Sequence, residues 1–136
     1  MTRTIFFSLL LVYSCQIFES TEISVISDAQ FIEIQDTDYI LVDVRTAEEY
    51  ESGHIQDAVN FDFYSESFQN DILTLDKNSS IILYCRTQNR STKTANYLKE
   101  NGYKEITVLV GGITSWVKNG NDLVYNFSEE INSTED

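Results

Sequence analysis

The sequence predicts an α/β domain, with a mainly parallel central sheet and helices on both of its faces. Three observations carry that expectation. From Glu22 to Leu123 short apolar runs alternate with helical patterns, as in a succession of strand–helix units. One run, Tyr39 to Val44, is almost continuously apolar, as a strand covered on both sides should be. Capping boxes also stand directly ahead of two of the helical segments.

The elements follow in order. Ile23-Ser24-Val25 is a short opening strand. Ser27-Asp28-Ala29-Gln30 is a capping box, leading a helix expected to bury Phe31, Ile32 and Ile34. After the strand at 39–44, Thr46-Ala47-Glu48-Glu49 caps a second helix, which stops at Gly53. Ala58-Val59-Asn60 is a brief strand, and the helix after it places Phe68, Ile72 and Leu73 on one face. Ser80 to Tyr84 is the next strand. A loop then leads to a helix from about Ser91 to Asn101, with Ala95 and Leu98 facing inward and Gly102 at its stop. Ile106 to Leu109 is the last strand. Gly111-Gly112 turns the chain into a final helix carrying Trp116 and Val117, ended by Gly120.

Composition narrows the function. The 136 residues hold 22 acidic and 9 basic side chains, a formal charge of −13. That balance argues against a nucleic-acid partner, because neutralising phosphates needs clustered Lys and Arg. With 42% apolar and 23% charged residues the chain has the makings of a folded domain. There is no proline, so proline-rich linkers and recognition arms are excluded. Cys15, Cys85 and the lone His54 are too few for a zinc site, and no metal or cofactor is expected.

The two ends read differently from the middle. Arg3 is followed by an apolar run from Ile5 to Val12, too short to span a bilayer as a helix. Together with Val12-Tyr13-Ser14-Cys15 this resembles a bacterial lipoprotein signal, in which the cysteine is lipidated and becomes the new N-terminus. The expected division is an export signal over 1–14, a tether over 15–21, the domain over 22–125 and an acidic disordered tail over 126–136. The chain would then be exported and held in the cell envelope by lipid on Cys15. Membrane partitioning that Cys15→Ala leaves unchanged would refute the anchor. Four Asn-x-Ser/Thr patterns, at Asn78, Asn89, Asn126 and Asn132, mildly favour the bacterial envelope, since a glycan on Asn89 would obstruct the loop described next.

The chemistry is concentrated in residues 81–91. A buried strand ends, Cys85 follows at once, and a helix begins a few residues on. Ligands bind at the carboxyl ends of strands in open parallel sheets. The amides of a tight loop entering a helix form an anion cradle, reinforced by the helix dipole. Two of the four arginines, Arg86 and Arg90, lie in this loop, placing positive charge beside the cysteine in an otherwise acidic chain. Such surroundings favour the thiolate form of a cysteine. On spacing alone Cys85 is either a nucleophile aimed at an anionic substrate or an inert cysteine closing a core strand.

Three segments resemble the single-domain rhodaneses. They are LVDVRTAEEYESGHIQDAVNF at 41–61, CRTQNRS at 85–91 and VLVGGITSWVKNG at 108–120. The resemblance implies a rhodanese-like fold and a thiosulfate-type sulfurtransferase that moves sulfane sulfur, through a persulfide on Cys85, to a thiol or cyanide. It implies further that the loop Arg86, Thr87, Gln88, Asn89, Arg90 and Ser91 holds the persulfide, with Arg86 and Arg90 on the oxyanion end of a small anionic donor. The loop from Cys85 to Arg90 counts six residues, one fewer than in phosphatases of the same fold, which favours sulfur over phosphate. Gln88 stands where many such loops have glycine, and would be strained if the position needed positive φ. Asp43 and Arg45 are expected to brace the loop, His54 to be a hydrogen-bonded structural residue, Trp116 to be core, and Tyr84 to point away from the pocket. The competing expectation is a non-enzymatic persulfide carrier or binding module of the envelope.

Overall fold

Short, largely apolar segments become strands, the inner ones burying side chains on both faces of the sheet and the two at its edges staying partly exposed. The computed structural model describes residues 21–125. The strands are β1 (Ile23–Ile26), β2 (Ile40–Asp43), β3 (Val59–Asn60), β4 (Ser80–Tyr84) and β5 (Glu105–Leu109). They lie side by side in the order β1-β5-β4-β2-β3, and every pairing is parallel. The helices are α1 (Asp28–Glu33), α2 (Ala47–Glu51), α3 (Phe68–Ile72), α4 (Asn89–Glu100) and α5 (Gly112–Lys118). The segments expected to be an export signal, a tether (to residue 20) and an acidic disordered tail lie outside the described residues. No helix among those described is long and apolar enough to cross a membrane.

Alternation along β4 shows how the two faces are filled. Ile81 and Leu83 point to one face and pack with Val42, Ala95, Leu98 and Tyr103. Ile82 and Tyr84 point to the other, among Phe31, Leu41, Ile113 and Trp116. Continuing the alternation puts Cys85 on the α4 side, and it belongs to that cluster. Trp116 is core as expected, its indole N–H donating to the Asp122 carbonyl at 2.8 Å. Tyr84 points away from Cys85, as expected. Its hydroxyl accepts from the Ile55 amide at 3.1 Å, and burial pushes its phenol pKa well above the ordinary value.

Both predicted capping boxes form, at Ser27 with Gln30 and at Thr46 with Glu49. One burial expectation is corrected. Phe31 is buried, but Ile32 is 45% exposed. In so short a helix one face meets the sheet, and the next residue along is turned some 100° away from it.

Candidate active site

The position of the site follows from the strand order. β2 and β4 are neighbours, with Val42 beside Leu83 and Asp43 beside Tyr84. After β2 the chain turns into α2, whose Tyr50 packs on the Phe31–Trp116 side of the sheet. After β4 it turns into α4, whose Ala95 and Leu98 pack on the opposite side. Connections diverging from adjacent strands leave a crevice at their carboxyl ends. An open cleft of about 360 Å³ lies there, lined by Thr46, Glu49, Tyr64, Cys85, Arg86, Thr87, Asn89 and Arg90.

The loop after β4 is held from behind by α5. The Cys85 carbonyl accepts from the Ile113 amide at 3.0 Å. The Arg86 carbonyl accepts from the Thr114 amide at 3.1 Å and from Thr114 Oγ1 at 2.8 Å. In a trans peptide the N–H opposes the C=O, so fixing these carbonyls toward α5 turns the amides of Arg86 and Thr87 away from it. The amides of Arg86 through Ser91 have no acceptor among the described residues. This run of amides leads into the N-terminus of the 12-residue α4, where the helix dipole adds positive potential.

That close approach explains Gly112. A Cβ there would stand 2.3 Å from the Cys85 carbonyl oxygen and 2.8 Å from that of Thr87, and the residue has φ +54°. Only glycine lets α5 start this close to the loop. The sequence marks Gly111-Gly112 as a turn, but not as the support behind the cysteine.

The loop residues have distinct placements. Cys85 is buried at the cleft floor, its Sγ 3.5 Å from Ser91 Oγ. Ser91 is itself buried, and its hydroxyl also lies 3.0 Å from the Gln88 carbonyl. With one proton to give, it donates to one acceptor or the other. Arg86, Thr87 and Asn89 are exposed along the cleft, and Arg86 has no ion-pair partner among the described residues. Gln88 caps α4 with φ −164°, an extended backbone that any residue adopts, so the strain conditional on positive φ is absent. Its carbonyl takes the Thr92 amide at 3.0 Å. The helix begins at Asn89, two residues ahead of the predicted start.

Arg90 departs most from expectation. Its guanidinium is committed to Glu49 through two bonds, 2.6 Å to Oε2 and 2.9 Å to Oε1, and lies 5.6 Å over the Tyr64 ring. The hydrogen bond from Arg90 holds the Glu49 carboxyl down to about 2, and Glu49 in turn raises the Arg90 pKa. Thr46, Glu49 and Tyr64 are site residues that sequence reasoning missed. Glu49 was visible only as a capping residue, and nothing in a single sequence couples positions 49 and 90.

Behind the cleft, Arg45 and Asp43 form a brace, though among the described residues their side-chain bonds reach Gly53 and not the loop they were expected to hold. Arg45 Nε donates to both Asp43 oxygens at 3.0 and 2.9 Å, and Nη2 donates to Oδ2 at 2.6 Å and to the Gly53 carbonyl at 2.7 Å. Asn60 Nδ2 ties the Asp43 and Arg45 carbonyls, each at 3.0 Å. His54 is buried outside the cleft, stacked on Tyr50 at 3.7 Å, with Nδ1 donating to the Tyr50 carbonyl at 3.0 Å. Among the described residues no group of His, Cys, Asp and Glu could hold a metal ion.

Known proteins agree with this geometry. The rhodanese-like domain family matches residues 28–119. A protein of Allochromatium vinosum named sulfurtransferase is 32% identical over 87 residues, covering 64% of this chain and 79% of that protein. The tRNA uridine(34) hydroxylase of Yersinia enterocolitica is 33% identical over 91 residues, which are 62% of this chain but only 25% of the hydroxylase. Among solved structures, a rhodanese-related protein from Thermoplasma volcanium superposes with TM-score 0.66 at 26% identity, covering 74% of this chain and 97% of that one. A rhodanese-like domain protein from Staphylococcus aureus gives 0.65 at 25% identity, covering 76% and 99%.

Proposed function

This chain belongs to the rhodanese-like domain family, and from that premise we propose that it is a sulfurtransferase that carries sulfane sulfur as a persulfide on Cys85. The observation that carries the reading is a buried cysteine at the floor of an open cleft, followed by six amides, Arg86 to Ser91, that have no acceptor among the described residues. In this reading those amides form a ring around the terminal persulfide sulfur, its negative charge facing donors already free to receive it.

The reaction divides into two displacements. The Cys85 thiolate attacks the outer sulfur of a small donor such as thiosulfate. A sulfur–sulfur bond forms on Cys85, the donor's own sulfur–sulfur bond breaks, and sulfite leaves with the electron pair. An acceptor thiolate, or cyanide in vitro, then attacks the terminal sulfur and releases the Cys85 thiolate. Splitting the transfer this way predicts ping-pong kinetics. Arg86, exposed at the rim and without an ion-pair partner among the described residues, would receive the departing anion. Ser91 Oγ donates to Sγ when the sulfur is anionic and otherwise to the Gln88 carbonyl.

The test is mass spectrometry with kinetics. After thiosulfate treatment Cys85 should gain one sulfur atom and lose it to cyanide, and Cys85→Ser should do neither. Absence of the adduct refutes the reading. A stable stoichiometric adduct without turnover would instead identify a persulfide carrier.

A further inference from the structure

The charges that line the cleft are not those the loop sequence suggests. Two arginines follow Cys85 in the loop, but Arg90 is held by both oxygens of Glu49, which reaches across from α2 on the far side of the crevice. Glu49 is fixed from its own side as well, because Oε2 also accepts the Thr46 amide at 2.9 Å. Tyr64 lies over the guanidinium and limits its alternatives. A carboxylate held by three hydrogen bonds stays ionised, consistent with its depressed pKa. Among the described residues, the side chains at the mouth therefore present Arg86, a cation without an ion-pair partner, and a neutralised pair.

We infer that Glu49 is a specificity-determining residue, which lowers the positive charge of the cleft and so favours sulfane donors with at most one negative charge, the class of organic persulfides, over dianions. This rests on the sulfurtransferase reading and deepens it. A dianion entering the cleft meets the Glu49 carboxylate at the rim and an acidic molecule beyond, with net charge −13. Each added negative charge on the donor raises that repulsion. With an organic persulfide R–S–SH the step balances without any further reactant. The Cys85 thiolate bonds to the terminal sulfur, the R–S to sulfur bond breaks, and the electron pair leaves on R–S⁻, so the charge held by Cys85 departs with the leaving thiolate and the proton stays on the new Cys85 persulfide.

The test compares two donors of similar shape that deliver the same sulfur atom and differ by one charge: thiosulfate, a dianion, and methanethiosulfonate, a monoanion. In Glu49→Gln the amide oxygen can still accept from Thr46 while the charge is gone. The ratio of kcat/KM for thiosulfate to that for methanethiosulfonate should rise about tenfold, the size expected of one unit charge acting across partly solvated protein. In Arg86→Gln, an exposed position, the ratio should fall. The unsubstituted protein supplies a third arm: its preference for methanethiosulfonate should exceed that of a free cysteine amide derivative. An unchanged or lowered ratio in a cooperatively melting Glu49→Gln overturns the inference. Should that variant not fold, a thiosulfate preference at or above the free thiol's overturns it. If neither donor leaves sulfur on Cys85 in the unsubstituted protein, it is the sulfurtransferase reading that fails.

Discussion

Asp43–Arg45 and Glu49–Arg90 are both arginine–carboxylate pairs that close to 2.6 Å, the first behind a crevice and the second across it. The first pair has side chains 6% and 0% exposed, whereas the second has 12% and 31%. The buried pair joins residues two apart in sequence and pins the end of β2 to the Gly53 carbonyl. The rim pair joins residues 41 apart, tying α2 to the start of α4. Similar chemistry thus serves two ends. Where water is excluded, each charge depends on its partner and the pair governs folding. Where water reaches, the pair contributes little to folding but sets the charge a ligand meets.

The sharpest way to break this comparison is to remove one partner from each pair. Arg45→Met leaves Asp43 buried and uncompensated, and unfolding should become easier by about 3–5 kcal/mol. The double variant Asp43→Leu with Arg45→Met should recover part of that loss, because no charge is then left unpaired. Glu49→Gln should cost less than about 1 kcal/mol. Denaturant midpoints with unchanged slopes would measure all three. Equal costs at the two pairs would refute the division of labour.

Gly112→Ala comes next in size, and it probes the loop without touching either pair. The added methyl meets the Cys85 carbonyl oxygen at 2.3 Å, so α5 or the loop must move. Overpacking of this kind costs about 1–3 kcal/mol. Because the displaced groups orient the amide ring, sulfur transfer should fall by more than the fraction unfolded accounts for. A variant with parental kinetics would show that the ring does not depend on α5.

The same contrast explains which parts of the molecule were legible in its sequence. Local features were readable. β4 runs from Ser80 to Tyr84 as expected, and both capping boxes form, because each depends on residues within a few positions of one another. Asp43–Arg45 was readable as a brace for the same reason, but what it holds, the Gly53 carbonyl and not the loop, was not. Ile32 was misjudged because apolarity does not say which side of a short helix meets the sheet. Gln88 raised a question of backbone strain that only its observed φ could answer. The commitment of Arg90 was illegible, since Glu49 is distant in sequence and already had a local role as a capping residue. Tyr64 carried no local signal, being a single exposed aromatic whose neighbour is set by tertiary approach.

The smallest expected effect concerns acid. Glu49 has a folded pKa of about 2, below its ordinary value of 4.5. The folded state therefore holds this carboxylate ionised more firmly than the unfolded chain does. The resulting stability is complete above the unfolded value and is lost as pH falls through the folded one. The difference in stability between the parent and Glu49→Gln should accordingly be constant near neutrality and shrink between about pH 4.5 and pH 2. Because this side chain is 31% exposed, solvent screens the pair, and the whole change should stay under about 1 kcal/mol. Urea midpoints for the two proteins across that range would show two curves converging toward low pH. Curves that stay parallel would mean that the Arg90 partner does not hold Glu49 ionised in solution, and the rim would then be open to an ordinary, exchangeable carboxylate.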